Sequence, residues 1–361
     1  MIDEKILKNE ERAIFALRSL YKSYGYKPFK MSKFEEYDLY VENKDFLVSD
    51  RVITFNDTDG RLLALKPDVT LSIVKNTKDG QEKQKVCYNE NVYRVSGSTG
   101  QYKELMQTGL ECIGDIDISD VFEVVYLAAK SLAEISDSFV LDLSHMGILS
   151  SLLSEACDNE KFKREITEGI ANKKSHEIPH ICEKYSVDKK YAETFSALAS
   201  MYGDMATVIS RLRPICTTEK SRDALSELEI LASLISNTEF AGKVRFDFSV
   251  VNNMSYYDGI VFRGFLSGIC EGVLAGGEYG KLLSGMGRKS RAIGFALYLD
   301  LLEQLDSAYP EYDADVALIY GDATSPSMIA QKKRELVADG KSVISQRFVS
   351  EKQKFKEIIY I

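Results

Sequence analysis

The chain has 361 residues, 45% of them hydrophobic and 28% charged, with a net charge of −9 and a pI near 5.2. That is enough for one large domain or two ordinary ones; the acidic balance offers no basic excess for gripping nucleic acid, and no apolar run nears the roughly 20 residues that span a bilayer. Six scattered cysteines without a C-x-x-C pair, and a charged start (MIDEKILKNEERA) without a signal-peptide core, read as a cytosolic chain with reduced thiols.

Residues 3–24 place Leu7, Ile14, Leu17, Tyr21 and Tyr24 at helical spacing, ended at Gly25. Residues 46–55 and 61–66 read as strands around the turn Asp57-Thr58-Asp59-Gly60. Residues 86–95 and 105–115 are strand-like and flank a polar, glycine-bearing loop, so they predict an antiparallel hairpin. A helix over 120–135 and a strand over 138–144 follow. From about 147 to 238 the pattern is helical, an inserted subdomain. Strand character resumes at 243–251, 256–265 and 269–277, and a last strand and helix fill 292–305. Residues 314–361 read as a βαβ-like unit whose helix closes at Gly340. Hairpin strands with helices gathered elsewhere predict an α+β fold around an antiparallel sheet. The domain division predicted is 1–310 and 311–361.

Three motifs invite chemistry and have plainer readings. His176-Glu177-Ile178-Pro179-His180 has the spacing of a zinc hydrolase, which needs both histidines on one helical face. Pro179 between them removes a backbone donor and pushes Ile178 out of helical geometry, so a helix start near Pro179 is predicted and no metal site. Gly276-Gly277-Glu278-Tyr279-Gly280 lacks the Lys and Ser/Thr of a phosphate loop and reads as a strand-end turn. His145, between a strand and a helix, reads as a cap or core residue.

Several segments, in order and over about 300 residues, resemble the catalytic domain of histidyl-tRNA synthetase, a class II synthetase. LALKPDVT (63–70) resembles L-x-L-R-P-E-x-T, and residues 92–115 resemble the motif 2 hairpin that ends in F-x-Q-x-G-x-E. FDFSVVNNMSYYDGIVF (246–262) is similar to the histidine-specific segment F-D-x-S-x-V-R-G-L-D-Y-Y-T-G-x-V-F. GGEYGKLL (276–283) resembles G-G-R-Y-D-x-L, and AIGFALYLDLL (292–302) resembles motif 3. The resemblance implies a class II synthetase-like, six-stranded antiparallel sheet flanked by helices, a dimer, a helical insertion, and an anticodon-binding-like α/β C-terminal domain, here truncated.

The departures from the family pattern are informative. Adenylate formation builds negative charge at the α-phosphate of ATP, and arginines stabilise it. Against the family pattern, arginines fall at Asn252, Glu278 and Leu301, the acidic residue after the motif 2 arginine falls at Ser96, and the motif 1 proline is lost near Ser32. Neither Leu nor Asn offers a charged fork. The amino-acid pocket is retained: by resemblance Asp68 and Thr70 grip the ammonium group, Tyr256 and Tyr257 shape an imidazole pocket, and Arg94 is the motif 2 arginine. Gln107 and Glu111 share one strand face.

A synthetase fold with a dismantled ATP site resembles the regulatory-subunit family of ATP phosphoribosyltransferase. The resemblance implies a non-catalytic subunit without cofactor or metal, partnered by itself and by a short catalytic ATP phosphoribosyltransferase subunit, and conferring histidine feedback. The acidic balance argues against tRNA as a partner. The sequence leaves open whether histidine sits in this pocket or at a subunit interface. A working histidyl-tRNA synthetase and a histidine-binding protein with another partner are the competing readings.

Overall fold

The structure is a computed structural model and describes residues 7–47, 51–80, 82–95, 100–251, 256–305 and 312–361. Ser96 and Asn252, two of the substituted family positions, lie outside the described residues. The chain divides into two compact units, Met1–Leu305 and Asp306–Ile361.

In the first unit, helix α1 (Asn9–Ser23) buries Leu17 and Tyr21 and stops where Gly25 takes φ +83°, a left-handed value suited to glycine. After β1 (Lys27–Pro28) come β2 (Phe34–Glu36), the short helix α2 (Asp38–Glu42), β3 (Thr54–Asn56) and β4 (Leu62–Leu65). The last three strands form a small antiparallel sheet in the order β2-β4-β3. Residues 44–46 are a 3₁₀ turn, so the strand expected over 46–55 is confined, among the described residues, to its end at Thr54–Asn56. Next come α3 (Val69–Asn76), β5 (Gln84–Val95), β6 (Tyr102–Gly114), α4 (Ile118–Ala133) and β7 (Phe139–His145). β5 and β6 make the predicted antiparallel hairpin, with Tyr88 opposite Gly109 and Glu90 opposite Gln107.

The region from 146 to 236 is helical: α5 (Met146–Ala156), α6 (Glu160–Ala171), α7 (Ile178–Lys184), α8 (Lys189–Ala199), α9 (Met205–Leu212) and α10 (Glu219–Ser236). It contributes one two-residue strand, β8 (Tyr202–Gly203). α7 begins at Ile178 with Pro179 in its first turn, and His176 precedes it. The side chains of His176 and His180 are 80% and 86% exposed, so the zinc-hydrolase arrangement is not formed. Then follow β9 (Val244–Asp247), β10 (Ile260–Leu266), β11 (Leu274–Glu278), α11 (Gly280–Gly285), β12 (Arg291–Tyr298) and a 3₁₀ stretch, Leu299–Leu305.

The main sheet has the order β1-β5-β6-β12-β11-β10-β7-β9-β8. Its six strands from β5 to β7 pair antiparallel throughout, as the resemblance implies. β1 joins one edge in parallel; β9 joins the other in parallel and β8 follows antiparallel. Alternation along each strand separates two faces. Leu110 and Cys112 of β6 and Ile293, Phe295 and Leu297 of β12 enter the larger core, built with α1, α4 and the insertion helices. Ile113 and Ala292 join a second core with Val69, Leu71, Ile73 and Val74 of α3 and Leu282 and Leu283 of α11. The cavity described below opens on this second face.

The second unit contains β13 (Ala314–Ile319), α12 (Pro326–Ala338), β14 (Val343–Gln346) and β15 (Phe355–Tyr360). The strands are parallel in the order β14-β13-β15. Val316 and Leu318 pack on Leu336 of α12, and Gly340 ends that helix at φ +79°.

Candidate ligand pocket

Asp68 is the N-cap of α3: its Oδ1 accepts from Leu71 N at 3.0 Å, satisfying one of the donors a helix start leaves unpaired. Capping sets the first turn, which brings Thr70 over the sheet. The Thr70 hydroxyl donates to Glu111 Oε1 at 3.0 Å, and the Tyr279 hydroxyl donates to Glu111 Oε2 at 2.6 Å. Glu111 is 2% exposed, and desolvation outweighs these two hydrogen bonds and pushes its carboxyl up to about 8. Asp68 nearby adds to the rise.

Arg94, on β5, is tied back to the same turn. Its Nε donates to Pro67 O at 2.7 Å and its Nη2 reaches Asp68 Oδ2 at 3.4 Å. Gln107 lies on β6 four residues before Glu111 and is 2% exposed; its Nε2 has no hydrogen-bond partner among the described residues. A buried donor left unpaired costs about 1–3 kcal/mol unless a ligand or water accepts from it. Tyr256 and Tyr257 follow one another with ring centroids 4.5 Å apart, and Tyr256 lies 5.7 Å from the Tyr279 ring.

All seven residues singled out in the sequence, Asp68, Thr70, Arg94, Gln107, Glu111, Tyr256 and Tyr257, line one cavity of about 340 Å³. Its floor is made of small residues, among them Gly294, Ala296 and Ala275. Gly294 pairs with Glu111 across the sheet, and a Cβ there would overlap the Glu111 carboxylate. The sequence reading missed Phe46, Tyr88, Arg263, Tyr279 and Tyr298. Strand register would have found Tyr298, since it pairs with Gln107 and shares a face with Gly294 and Ala296. Phe46 belongs to a 3₁₀ turn that no local pattern places over a sheet.

Glu278 is 3% exposed. Its Oε2 accepts from Ile260 N at 2.9 Å and its Oε1 from Arg291 Nη2 at 2.7 Å, while burial pushes its carboxyl upward. Leu301 lies beside a second cleft that shares Arg94 and Tyr298 with the pocket. His145 caps α5: its Nδ1 accepts from Gly147 N at 3.0 Å and its Nε2 meets Glu227 Oε2 at 3.0 Å, the capping role read from sequence.

An antiparallel six-stranded core, a long hairpin carrying Arg94, and a pocket on the hairpin's face define a class II aminoacyl-tRNA synthetase-like protein. The chain belongs to the histidyl-tRNA synthetase family, whose model matches residues 2–302. It is similar to an ATP phosphoribosyltransferase regulatory subunit of Oceanobacillus iheyensis, 27% identical over 99% of this chain and 89% of that one. In fold it is similar to an ATP phosphoribosyltransferase regulatory subunit/histidyl-tRNA synthetase of Bacillus halodurans (TM-score 0.75, 23% identity, 100% and 96% of the two chains). The ATP phosphoribosyl transferase (HisG:HisZ) complex of Thermotoga maritima also shares the fold (TM-score 0.63, 19% identity, 82% and 97% covered). No helix among the described residues is long and apolar enough to cross a membrane.

Proposed function

We propose that this chain is a non-catalytic regulatory subunit of ATP phosphoribosyltransferase, the enzyme that opens histidine biosynthesis. It activates a short catalytic subunit in the cytoplasm, pairs with itself through the synthetase-like core, and carries histidine feedback through the pocket around Glu111. The observation that carries this reading is Glu278. Where the family places an arginine, this chain buries a carboxylate that its own Ile260 amide and Arg291 hold. A carboxylate cannot supply the positive fork that adenylate formation needs. Leu301, apolar in place of a second arginine, supports the same loss. The regulatory subunits among its relatives support the partner. Residues 311–361 act as a counterpart of the family's anticodon-binding domain.

The pocket suits histidine. Carboxylates at Asp68 and Glu111 accept from cationic nitrogens, and the paired tyrosines offer aromatic faces. The test is co-purification with a short catalytic subunit, with phosphoribosyl-ATP formation measured with and without this chain and with added histidine. Association, a higher rate and histidine inhibition are expected. No association and an unchanged rate would refute the reading, and histidine-dependent exchange of pyrophosphate into ATP would restore a synthetase.

A further inference from the structure

We propose that Arg263 is the carboxylate anchor of this pocket, selecting a free amino acid over the corresponding amine; this rests on the amino-acid reading above. Gly264, its neighbour on β10, faces α4, where a Cβ would meet Leu132, so Arg263 points to the opposite, pocket face. Its place in the sheet is fixed by register. Arg263 pairs with Ala275, Ala275 with Ala296, and Ala296 with Gly109. The row between Arg263 and the Glu111 side of the cavity is therefore floored by three residues with a methyl or less; the Tyr88 ring lies over Gly109, and the space above Ala275 and Ala296 belongs to the cavity.

Glu111 lies two residues beyond Gly109 on β6. Three inter-strand steps and one two-residue step put the α-carbons of Arg263 and Glu111 roughly 16 Å apart. Both side chains line the same cavity of about 340 Å³, one at each end of this row. An acidic group at Glu111 and a cationic one at Arg263 thus face the cavity from its two ends.

The two arginines of the pocket differ in what they have to offer. Arg94 is committed to the Pro67 carbonyl and to Asp68. Arg263 makes no hydrogen bond or ion pair among the described residues, and only its stem is packed, over Gly272. An unpaired guanidinium presents five donors in a planar fork that matches a carboxylate. Gln107 Nε2 is a second, independent donor in the same cavity, buried and unsatisfied. Both can donate to an acceptor, and an amine without a carboxylate supplies no anionic, two-oxygen one.

Calorimetry with free histidine and with histamine as probes tests this on the full chain and on R263Q and R263K. The side chain is exposed, so both variants should keep the wild-type circular dichroism spectrum. Wild type is expected to bind histidine at least about tenfold tighter than histamine, the ratio of one lost charge-assisted hydrogen bond. R263Q should lose that preference by weakening histidine alone, and R263K should keep part of it. Equal wild-type affinity for the two probes overturns the proposal without any variant. An R263Q protein that still prefers histidine overturns it as well, while leaving the amino-acid pocket standing. A wild type that binds neither probe removes the pocket reading and this inference together.

Discussion

At the scale of the residue, Glu111 governs the pocket's response to pH. Its carboxyl lies at an ordinary 4.5 in the unfolded chain and at about 8 in the folded one, because burial penalises the charge more than Thr70 and Tyr279 relieve it. Between those values the folded chain holds a proton that the unfolded chain releases. Stability from this group is therefore complete below pH 4.5 and is lost as pH rises through about 8. In the middle of that window the ligand-free protein should lose about 1.4 kcal/mol per pH unit from this site. Glu111→Gln cannot titrate, so the difference between wild-type and variant melting curves from pH 5 to 9 should carry that slope. A constant difference would show that Glu111 is ionised throughout. Binding a cationic ligand next to Glu111 favours its charged form, so histidine uptake near neutrality should release a proton. Calorimetry in buffers of different ionisation enthalpy reads this directly.

At the scale of the element, β12 supplies the floor. Gly294 sits beneath the Glu111 carboxylate, and an added Cβ would overlap it and press on the Leu110 carbonyl. Gly294→Ala should abolish histidine binding and lower stability by about 1–3 kcal/mol through overpacking, checked by calorimetry and urea unfolding. Ala296→Gly, two residues on, removes only a methyl from the floor and should leave binding nearly intact. The long elements were legible in the sequence because their periodicity was strong. The hairpin of β5 and β6, the helix α4 and the helical stretch after His145 all announced themselves by alternation or by helical spacing. The two-residue strands β1 and β8 did not, since each exists only through pairing with a distant strand. The pocket was half legible. Its carboxylates and paired tyrosines lie inside recognisable motifs, whereas Arg263 and Tyr298 enter it only through strand register, and Phe46 through a tertiary turn.

At the scale of the whole molecule, the sheet is stitched together out of chain order. β6 ends at Gly114 and pairs with β12, which begins at Arg291. The helices from α5 to α10 intervene, yet they lean on the sheet rather than interrupt it: α10 packs on α4 and α5, and α5 on β10. A chain ended at Gly287 would keep α1 to α11 and lose the central strand β12, the 3₁₀ stretch that follows it and the second unit. It would expose the inner edges of both β6 and β11, each a template for unwanted pairing. Such a chain should aggregate and show no cooperative thermal transition, whereas the 361-residue chain should. A soluble, cooperatively melting fragment would mean that β12 is dispensable to the core.

That position of β12 also sets a timetable for birth. The strand between the hairpin and the rest of the sheet is the last of the nine to leave the ribosome. Until it emerges, two half-sheets with open edges must wait, and at about 5–20 residues per second the nearly 180 residues between Gly114 and Arg291 take on the order of ten seconds or more. The ligand site is then completed in a single late step, because its floor arrives with the strand that closes the sheet. A nascent chain of this protein cannot complete the pocket until β12 has emerged, and its dependence on chaperones should be concentrated in that interval.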